Sequence, residues 1–338
     1  MPISQRPTFA SAKVLAVYDR KMLDRAKQNQ IFDVGAQQRV VPAGSNTKKG
    51  FAFRYKGMLP ATTPIAEYDG TNIKNPNKVV REEVEYSVAH YGDYLKYTDE
   101  LDLYDFDNIQ SSFLDLLSDQ ASLTVDTIRR NTLRGGTNII YTDGATSRAL
   151  VASGKKKHTL NDFKLMAIKL KRQGGMKFKK MIAAGTGVGT KSIRSAFIGI
   201  CSPEVIEDLR GLTGWKDVED YSDSSKAMPN EVGSIGDFRI LESDNNDPIA
   251  VSGTNVYLSY FMAENAYCTT SLRGNGGIQT KVKVLGSAGA NDPLDQFGTI
   301  GWKAIFGCAI LSEAWLIRTE CTASIEDEST RHFLDYTA

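Results

Sequence analysis

The chain contains 338 residues, of which 41% are hydrophobic and 24% charged, and its 41 basic side chains nearly balance 40 acidic ones. This composition excludes a wholly disordered chain, and the length allows a substantial core in one large or two intertwined domains. The net charge of +1 and the pI of about 7.6 argue against a freestanding nucleic-acid-binding protein, whose pI normally exceeds about 9.

The cysteines and the apolar segments argue against further classes of protein. Cys201, Cys268, Cys308 and Cys321 are widely spaced, so we expect neither a disulfide framework nor a cysteine metal site. The N-terminus lacks the apolar core of a signal peptide, and no apolar run reaches the roughly 18 residues that span a bilayer. We therefore expect a soluble protein made in a reducing compartment.

Charge is balanced overall but not along the chain. Residues 1–60 hold eleven basic and three acidic residues, residues 82–107 nine acidic and one basic, and residues 155–180 ten basic and one acidic, for net charges of about +8, −8 and +9. Each block alone is typical of solvated surface. Alternating blocks on a neutral chain favour a protein that meets copies of itself, because complementary patches fix register. The inter-subunit candidates are Arg20, Lys21, Arg54, Lys56, Glu82, Glu83, Glu85, Asp99, Glu100 and Asp102.

The predicted elements begin with a short amphipathic helix over Val14 to Gln28. Aromatic and β-branched residues predict strands over Lys48 to Lys56 and over Val79 to Tyr97. The aperiodic stretch from Gly57 to Asn77 contains three prolines and predicts a long loop between them. Together these segments predict a hairpin with a long tip.

Two helices are predicted next. Asp107 can cap the first, whose apolar residues recur at three- and four-residue steps up to Gly135, a length of about 40 Å. The second begins at Thr159 and ends at Gly174. The first helix is long enough to be the backbone of the molecule.

The C-terminal half predicts an α/β unit and a long apolar run. Phe197 to Cys201 is typical of a buried strand, and the Ser-Pro pair after it opens a helix through Leu212. Further strands are predicted over Phe238 to Leu241 and Val256 to Phe261. The run from Thr299 to Thr322 is too long for one strand, so we expect a bend or two strands.

The glycine-rich stretch from Gly185 to Ser192 is the nearest approach to a catalytic motif. A phosphate-binding P-loop needs glycine before its Lys-Ser pair so that backbone amides can wrap the phosphates, and here that position is Thr190. The residues that follow predict a strand rather than a helix. The motif therefore favours a flexible glycine loop over a nucleotide site.

The histidines and carboxylates form no catalytic constellation. His90, His158 and His332 lack metal-ligand spacing, and no GxSxG elbow supports a Ser/His/Asp triad, although widely separated triad members stay an open alternative. The acidic stretches near Asp99 and Glu326 are typical of turns, caps and solvated surface. We therefore predict no catalytic residue, cofactor or metal.

The third charge block has three interpretations. Lysine neutralises phosphate without sequence preference, so contact with packed duplex DNA is one. Ion pairs with the acidic block of a neighbouring copy and plain solvated surface are the others. Aromatic residues for stacking are sparse, which argues against single-strand recognition. The residues concerned are Lys155, Lys156, Lys157, Lys169, Lys171, Arg172, Lys179 and Lys180.

Two segments of the chain show a family resemblance. One is His90–Leu101, ahead of the long helix. The other is the strand and helix Phe197–Leu209, with Gly233–Ser243 after it. Both are similar to segments of the major capsid proteins of N-four-like tailed phages with double-stranded DNA, a family with the Hong Kong 97 capsid fold.

The segment Asp292–Lys303 carries the most specific motif. It resembles that family's DPLNQRGTVGWK pattern, with Asp295 where Asn is usual and Phe297 where Arg is usual. The three segments occur in family order across roughly residues 79–318. The matching motif positions that we single out are Asp292, Pro293, Gln296, Gly298, Gly301, Trp302 and Lys303.

The resemblance implies an α+β fold of the Hong Kong 97 type, with an N-arm, an E-loop hairpin, a spine helix, a P-domain and an A-domain. The N-arm would be residues 1–45, the E-loop hairpin 46–100, and the P-domain 101–194 with spine helix 107–134. The A-domain would be residues 195–289, and residues 290–338 would return to the P-domain and form a C-terminal tail.

The implied function is that of a major capsid protein, without catalysis, whose pentamers and hexamers form an icosahedral shell around packaged double-stranded DNA. Its partners would be neighbouring capsomers, reached through the N-arm and the E-loop, non-specifically bound DNA, and portal, scaffold and decoration proteins, with no membrane. It would be located in the virion after assembly in the host cytoplasm. The alternatives are an encapsulin-like nanocompartment shell and an enzyme with a degenerate P-loop at residues 185–192.

Overall fold

A computed structural model describes residues 30–41, 48–55, 61–62, 64, 77–104, 109–179, 195–221, 227–272, 277–285 and 294–325. Its helices are α1 Asp99–Tyr104, α2 Ile109–Arg134, α3 Arg148–Ser153, α4 Leu160–Arg172 and α5 Pro203–Arg210. Its strands are β1 Gln37–Val41, β2 Lys49–Tyr55, β3 Arg81–Ser87, β4 Ala89–Thr98, β5 Ile139–Tyr141, β6 Phe197–Cys201, β7 Trp215–Asp217, β8 Glu231–Ile235, β9 Phe238–Glu242, β10 Ile249–Val251, β11 Thr254–Met262, β12 Tyr267–Leu272, β13 Ile278–Lys283, β14 Phe297–Ile310 and β15 Leu316–Cys321.

The strands form two large sheets and a separate hairpin. In the five-stranded sheet, one edge of β14 pairs with β4 and the other with β13 and then β12, while β1 joins β12 in parallel. The eight-stranded sheet has the order β5-β15-β11-β6-β9-β8-β7, with β10 paired to β11. The hairpin is the antiparallel pair β2 and β3.

The long helix α2 connects the two large sheets. Leu114, Leu117 and Ala121 pack on the five-stranded sheet against Ile300 and Trp302. At the other end of the helix, Leu133 belongs to the core that lies against the eight-stranded sheet. Its 26 residues correspond to about 39 Å, so one helix spans both cores.

The eight-stranded sheet is covered on one face by α4 and α5. Phe163 and Leu170 of α4 share a core with Phe238 and Phe261 of the sheet, and these two phenylalanine rings meet edge to face at 5.2 Å. A capping box at Thr159 starts α4 as its sequence predicts. This core joins α4 and α5 to one face of the sheet.

Among the described residues, the hairpin is anchored through the half nearer its base. Ala52 of β2 and Tyr86 of β3 are buried with Val88 and with Ile305 of β14. Phe51, on the opposite face of β2 from Ala52, and Val79 and Val80, just before β3, are all more than half exposed. Most of the hairpin surface therefore has no cover from its own chain in the described ranges.

Most predicted elements are confirmed. The long helix, the helix after Thr159, the strand and helix around Ser202, and two strands in place of one C-terminal run all occur. The stretch from Val79 to Tyr97 differs, because Val88 interrupts it and its amide donates to the Lys48 carbonyl. The predicted helix at 14–28 and the glycine loop at 185–192 lie outside the described residues, as does most of the loop at 57–77.

The packing joins elements from different predicted domains. Helix α4, placed in the P-domain by its position in the chain, packs on the eight-stranded sheet, because its apolar face matches that core. Strand β15, expected to return to the P-domain, pairs with β11 and β5 of the same sheet. None of the described helices is long and apolar enough to span a bilayer.

Candidate assembly surfaces

The motif around Gly298 lies where β14 pairs with β4 in the five-stranded sheet. A Cβ at Gly298 would overlap the Tyr97 ring, and a Cβ at Gly301 would lie 2.7 Å from the Asp93 carbonyl oxygen. Side chains do not fit at such separations. The two glycines are therefore explained by the close approach of the strands.

The motif tryptophan links this strand pair to the long helix. Trp302 is 4% exposed, and its indole Nε1 donates to Gln120 Oε1 at 3.1 Å. Gln120 Nε2 in turn donates to Asp93 Oδ2 at 2.6 Å. This chain of hydrogen bonds joins β14, α2 and β4, so the motif builds structure rather than a reaction centre.

The two departures from the family pattern have local explanations. Asp295 has φ of 55°, a region that Asn and Asp tolerate better than other non-glycine residues. The ring of Phe297 lies 3.6 Å from Lys96 Nζ, whereas an arginine there would place two cations together. Of the remaining positions, Gln296 accepts the Asp99 amide through its carbonyl and Lys303 is exposed. Asp292 and Pro293 lie outside the described residues.

The long helix also anchors the N-terminal segment, which the sequence did not predict. Asp126 Oδ1 accepts the Phe32 amide at 3.0 Å, and Arg129 donates to Asp33 at 2.7 Å. The Tyr267 hydroxyl donates to the Phe32 carbonyl. Burial raises the pKa of Asp126, against the lowering effect of its hydrogen bonds and of Arg129. Asp126 and Arg129 lie among many other polar residues of the helix, so the sequence carried no signal that set them apart.

The next residue of the helix binds a loop of the eight-stranded sheet. Arg130 Nη1 donates to the Asn245 carbonyl at 3.0 Å and to Asp247 Oδ2 at 2.5 Å. Asn245 in turn donates to Thr127 at 3.1 Å. The polar face of α2 therefore joins the N-terminal segment and both sheets.

The predicted acidic contacts of the hairpin are partly neutralised within it. Glu85 pairs with Lys49 across the strands, and Glu83 pairs with Arg81 at 3.5 Å. Glu82 is exposed and lies opposite Arg54 in the strand register. Arg20, Lys21 and Lys56 lie outside the described residues.

The predicted acidic contacts after the hairpin lie on α1. Asp99 begins the helix, and its Oδ1 accepts the Glu100 amide at 2.9 Å. Glu100 is exposed and forms no ion pair within the described part of the chain. Asp102 lies on the same helix. This end of β4 therefore carries unneutralised negative charge.

Much of the predicted basic run is neutralised by its own chain. Lys156 pairs with Asp143 at 2.6 Å, and Lys157 lies 3.7 Å from Asp208. Lys171 pairs with Asp237. Partners therefore come from carboxylates up to 66 residues away, which the linear charge block does not show.

The rest of the basic run is more open. Lys169 Nζ donates to Asn138 at 2.5 Å. Lys155, Arg172 and Lys179 are exposed and have no ion pair among the described residues, while Lys180 lies outside them. These exposed cations are free to meet a polyanion or another copy.

A buried ion pair holds one end of the eight-stranded sheet. Arg239 and Glu231 are both largely buried, and Arg239 Nε donates to Glu231 Oε1 at 2.6 Å. The Tyr221 hydroxyl donates to the same oxygen at 2.9 Å, and the Met228 amide donates to Oε2 at 2.8 Å. Burial raises the pKa of Tyr221, so it remains a donor. The carboxylate thus fixes both ends of the 221–228 loop.

The described residues offer little reactive chemistry. Burial raises the pKa of the Cys201 and Cys308 thiols to about 12, which keeps them protonated. The four cysteines are free, and no cluster suited to a metal ion occurs in the described ranges. His158 is buried between Phe163 and Phe261, and burial lowers its pKa to about 4.

Comparison with known proteins places these features in a family. The family model described as "Phage capsid protein" matches residues 81–318, more than half of the chain. A search of the curated proteins finds no significant match.

Solved structures show the same fold. The capsid of Ralstonia phage GP4 has a TM-score of 0.65 at 12% identity, with 88% of each chain covered. The head of Helicobacter pylori bacteriophage KHP40 has a TM-score of 0.57 at 11% identity, covering 87% of this chain and 88% of that one. The SrpI encapsulin of Synechococcus elongatus has a TM-score of 0.52 at 10% identity, covering 88% and 89%.

These matches agree with the β4–β14 strand pair, the long helix and the two sheets described above. The fold is the α+β Hong Kong 97 type that the motif predicts. This chain belongs to the phage capsid protein family and is a structural protein of the major capsid class.

Proposed function

We propose that copies of this chain form pentamers and hexamers of a closed icosahedral shell around packaged double-stranded DNA. Beyond family membership, the β2–β3 hairpin carries the proposal. It is a two-stranded sheet with a buried base and exposed Phe51, Val79 and Val80. Such a hairpin is marginally stable alone in water, so a neighbouring copy would supply its missing cover.

In this proposal the hairpin acts as the E-loop and residues 1–45 as the N-arm, both reaching neighbouring capsomers. The P-domain is built on the five-stranded sheet and the A-domain on the eight-stranded sheet near the capsomer centre. The exposed cations Lys155, Arg172 and Lys179 are available to a neighbour or to DNA, which would bind non-specifically.

Electron microscopy of the purified protein and of virions tests the shell. We expect closed particles with five- and six-membered rings, and nuclease-protected double-stranded DNA inside those from virions. Virions whose shell lacks this chain, or a protein that stays monomeric under all assembly conditions, would contradict the proposal. The proposed location is the virion capsid after assembly in the host cytoplasm, with portal, scaffold and decoration proteins as further partners.

A nanocompartment shell is the second candidate, because an encapsulin shares the fold over 88% of this chain. The contents of purified particles separate the two functions. Protein cargo without nucleic acid would favour the nanocompartment, whereas protected DNA would favour the capsid.

We also propose that the chain is not an enzyme. The one nucleotide-binding motif considered, residues 185–192, has Thr190 where a P-loop needs glycine. We expect no ATP hydrolysis by the purified protein and no effect of Lys191→Ala on its background rate. Hydrolysis that is lost in this variant would show a nucleotide site.

A further inference from the structure

The face of the five-stranded sheet opposite α2 forms an open trough of about 620 Å³. Its floor is Gly92 of β4 and Gly301 of β14, whose missing side chains make the depression. Lys281 and Lys283 of β13 line one side, and Tyr94 of β4 lines the other with a 67% exposed side chain. Lys303 also lines it, and we call this surface the lysine trough.

The positive charge of the lysine trough has no counter-charge among the described residues of its own chain. Lys281, Lys283 and Lys303 are exposed, and none makes an ion pair in the described part of the chain. The one carboxylate among the lining residues, Asp93, is held on the helix side by Gln120. The basic run at 155–180 is different, because carboxylates of the same chain pair with several of its lysines.

A surface of the opposite character lies where β4 ends. Helix α1 carries Glu100, which has no described ion pair, and two exposed leucines, Leu101 and Leu103. Leu103 is 77% exposed, and Leu294 before β14 is 75% exposed. The Asp99 amide donates to the Gln296 carbonyl, which fixes α1 beside that segment. We call α1 with Leu294 the acidic knob.

The knob makes no ion pair with the trough of the same chain in the described residues. Lys283 lies opposite Thr299, which lies opposite Lys96, so it is three residues along the strand from Asp99 and two strands away from β4. The strand is paired with β14 over ten residues, so it does not fold back. With no contact between them in the described chain, both surfaces are open to a second copy.

We propose that the acidic knob of one copy docks in the lysine trough of a neighbouring copy, an inference that rests on the proposed shell. Glu100 would meet Lys281 and Lys283, while the exposed leucines would cover Tyr94. Charge and apolar surface are complementary, and neither has a partner among the described residues of one chain. The contact is head to tail, so repeated copies form a ring or a chain rather than a two-fold dimer.

Two other occupants of the trough fit less well. The acidic residues Glu83 and Glu85 of the hairpin are already paired with Arg81 and Lys49. DNA would match the lysines but would leave the leucines of the knob uncovered. Both occupants are outcomes of the experiment below.

Charge exchange tests the contact. Lys281→Glu with Lys283→Glu, and separately Glu100→Lys with Asp102→Lys, should each lower the assembled fraction about tenfold or more, because like charges then meet. Combining all four substitutions should restore closed shells. Thermal unfolding of the unassembled proteins checks that the substitutions leave the fold intact. If a reversed variant misfolds, Lys281→Gln with Lys283→Gln replaces it and should weaken assembly in the same direction.

A matched variant and three outcomes decide the result. Reversing the hairpin with Glu82→Lys and Glu83→Lys should not rescue the trough variant, and rescue by it would overturn the proposal. Shells of the trough variant that form normally but retain less DNA would assign the trough to DNA and also overturn it. Trough and knob variants that assemble like the wild type would refute this contact alone, whereas a wild-type chain without shells would refute the proposed function.

Discussion

At the scale of residues, the close pairing of β4 and β14 depends on glycines that have no side chain. Gly301 faces the backbone of Asp93 and the Cβ of Tyr94, so its lack of a side chain sets the spacing of the two strands. Trp302, the next residue, fills the opposite face and binds Gln120. Adjacent motif positions thus serve opposite faces of one strand.

Gly301→Ala should destabilise the protein by about 1–3 kcal/mol, since the new methyl group would displace the backbone of β4. Urea unfolding of the unassembled chain measures the loss. Gly211→Ala is the matched control, because φ is −72° there and the nearest atom would lie 3.5 Å away. Equal effects of the two substitutions would disprove the steric explanation.

His158 gives the fold a dependence on pH. Burial lowers its pKa from 6.5 to about 4, although Asp162 and Asp208 act in the opposite direction. Between these values the unfolded chain binds a proton that the folded chain does not. Stability is therefore complete above pH 6.5 and falls as the pH decreases from 6.5 toward 4.

His158→Phe should remove roughly 2 kcal/mol of the pH dependence between pH 7 and pH 4.5, because the surroundings are aromatic and Nδ1 has no partner in the described residues. The measurement is the free energy of unfolding at pH 7 and pH 4.5 for variant and wild type. The exposed His90 offers the control His90→Gln, which should keep the wild-type slope. A variant slope equal to the wild-type slope would contradict the assignment.

At the scale of elements, local signals predicted most of the helices and strands. Thr159 and Asp162 form the capping box of α4, and the apolar spacing predicted the length of α2 within two residues. Both features could be predicted because each depends on residues that are three or four positions apart in the chain. Docking of the N-terminal segment could not be predicted. The Phe32 amide and Asp126 are 94 residues apart, and nothing local joins them.

The hairpin supports a prediction of its own. Replacing residues 57–77 by a two-residue Asn-Gly turn should leave a folded, soluble chain, because the buried base around Ala52 and Tyr86 is retained. Shell formation should be lost if the outer hairpin works between subunits. Circular dichroism and electron microscopy measure the two effects. Normal shells from the shortened chain would remove the hairpin from the assembly contacts.

At the scale of the whole molecule, the net charge of +1 conceals two kinds of charged surface. Lys156 and Lys171 are paired within the chain, whereas Lys281 and Lys283 make no ion pair with any residue that the structure describes. The linear charge blocks predicted contacts between copies but drew attention to the first group. The second was missed because two lysines on a short strand stand out only when the sheet places them together.

Assembly should therefore slow when salt is added. Raising NaCl from about 0.1 M to about 1 M shortens the Debye length from about 10 Å to about 3 Å, and we expect the assembly rate to fall at least tenfold. Light scattering follows the rate, and sucrose at equal osmolality controls for the solute. Faster assembly at high salt would show that apolar burial dominates the contacts.

The pairing of β4 with β14 also has a mechanical consequence. The strands are paired over ten residues, and their hydrogen bonds run perpendicular to the strand axis. A force on the hairpin directed along β4 therefore loads all the hydrogen bonds between β4 and β14 in shear at once, rather than breaking them one after another. The glycines at 298 and 301 keep this ladder closed over its length, so tension between subunits would reach the body of the protein before the hairpin tears away.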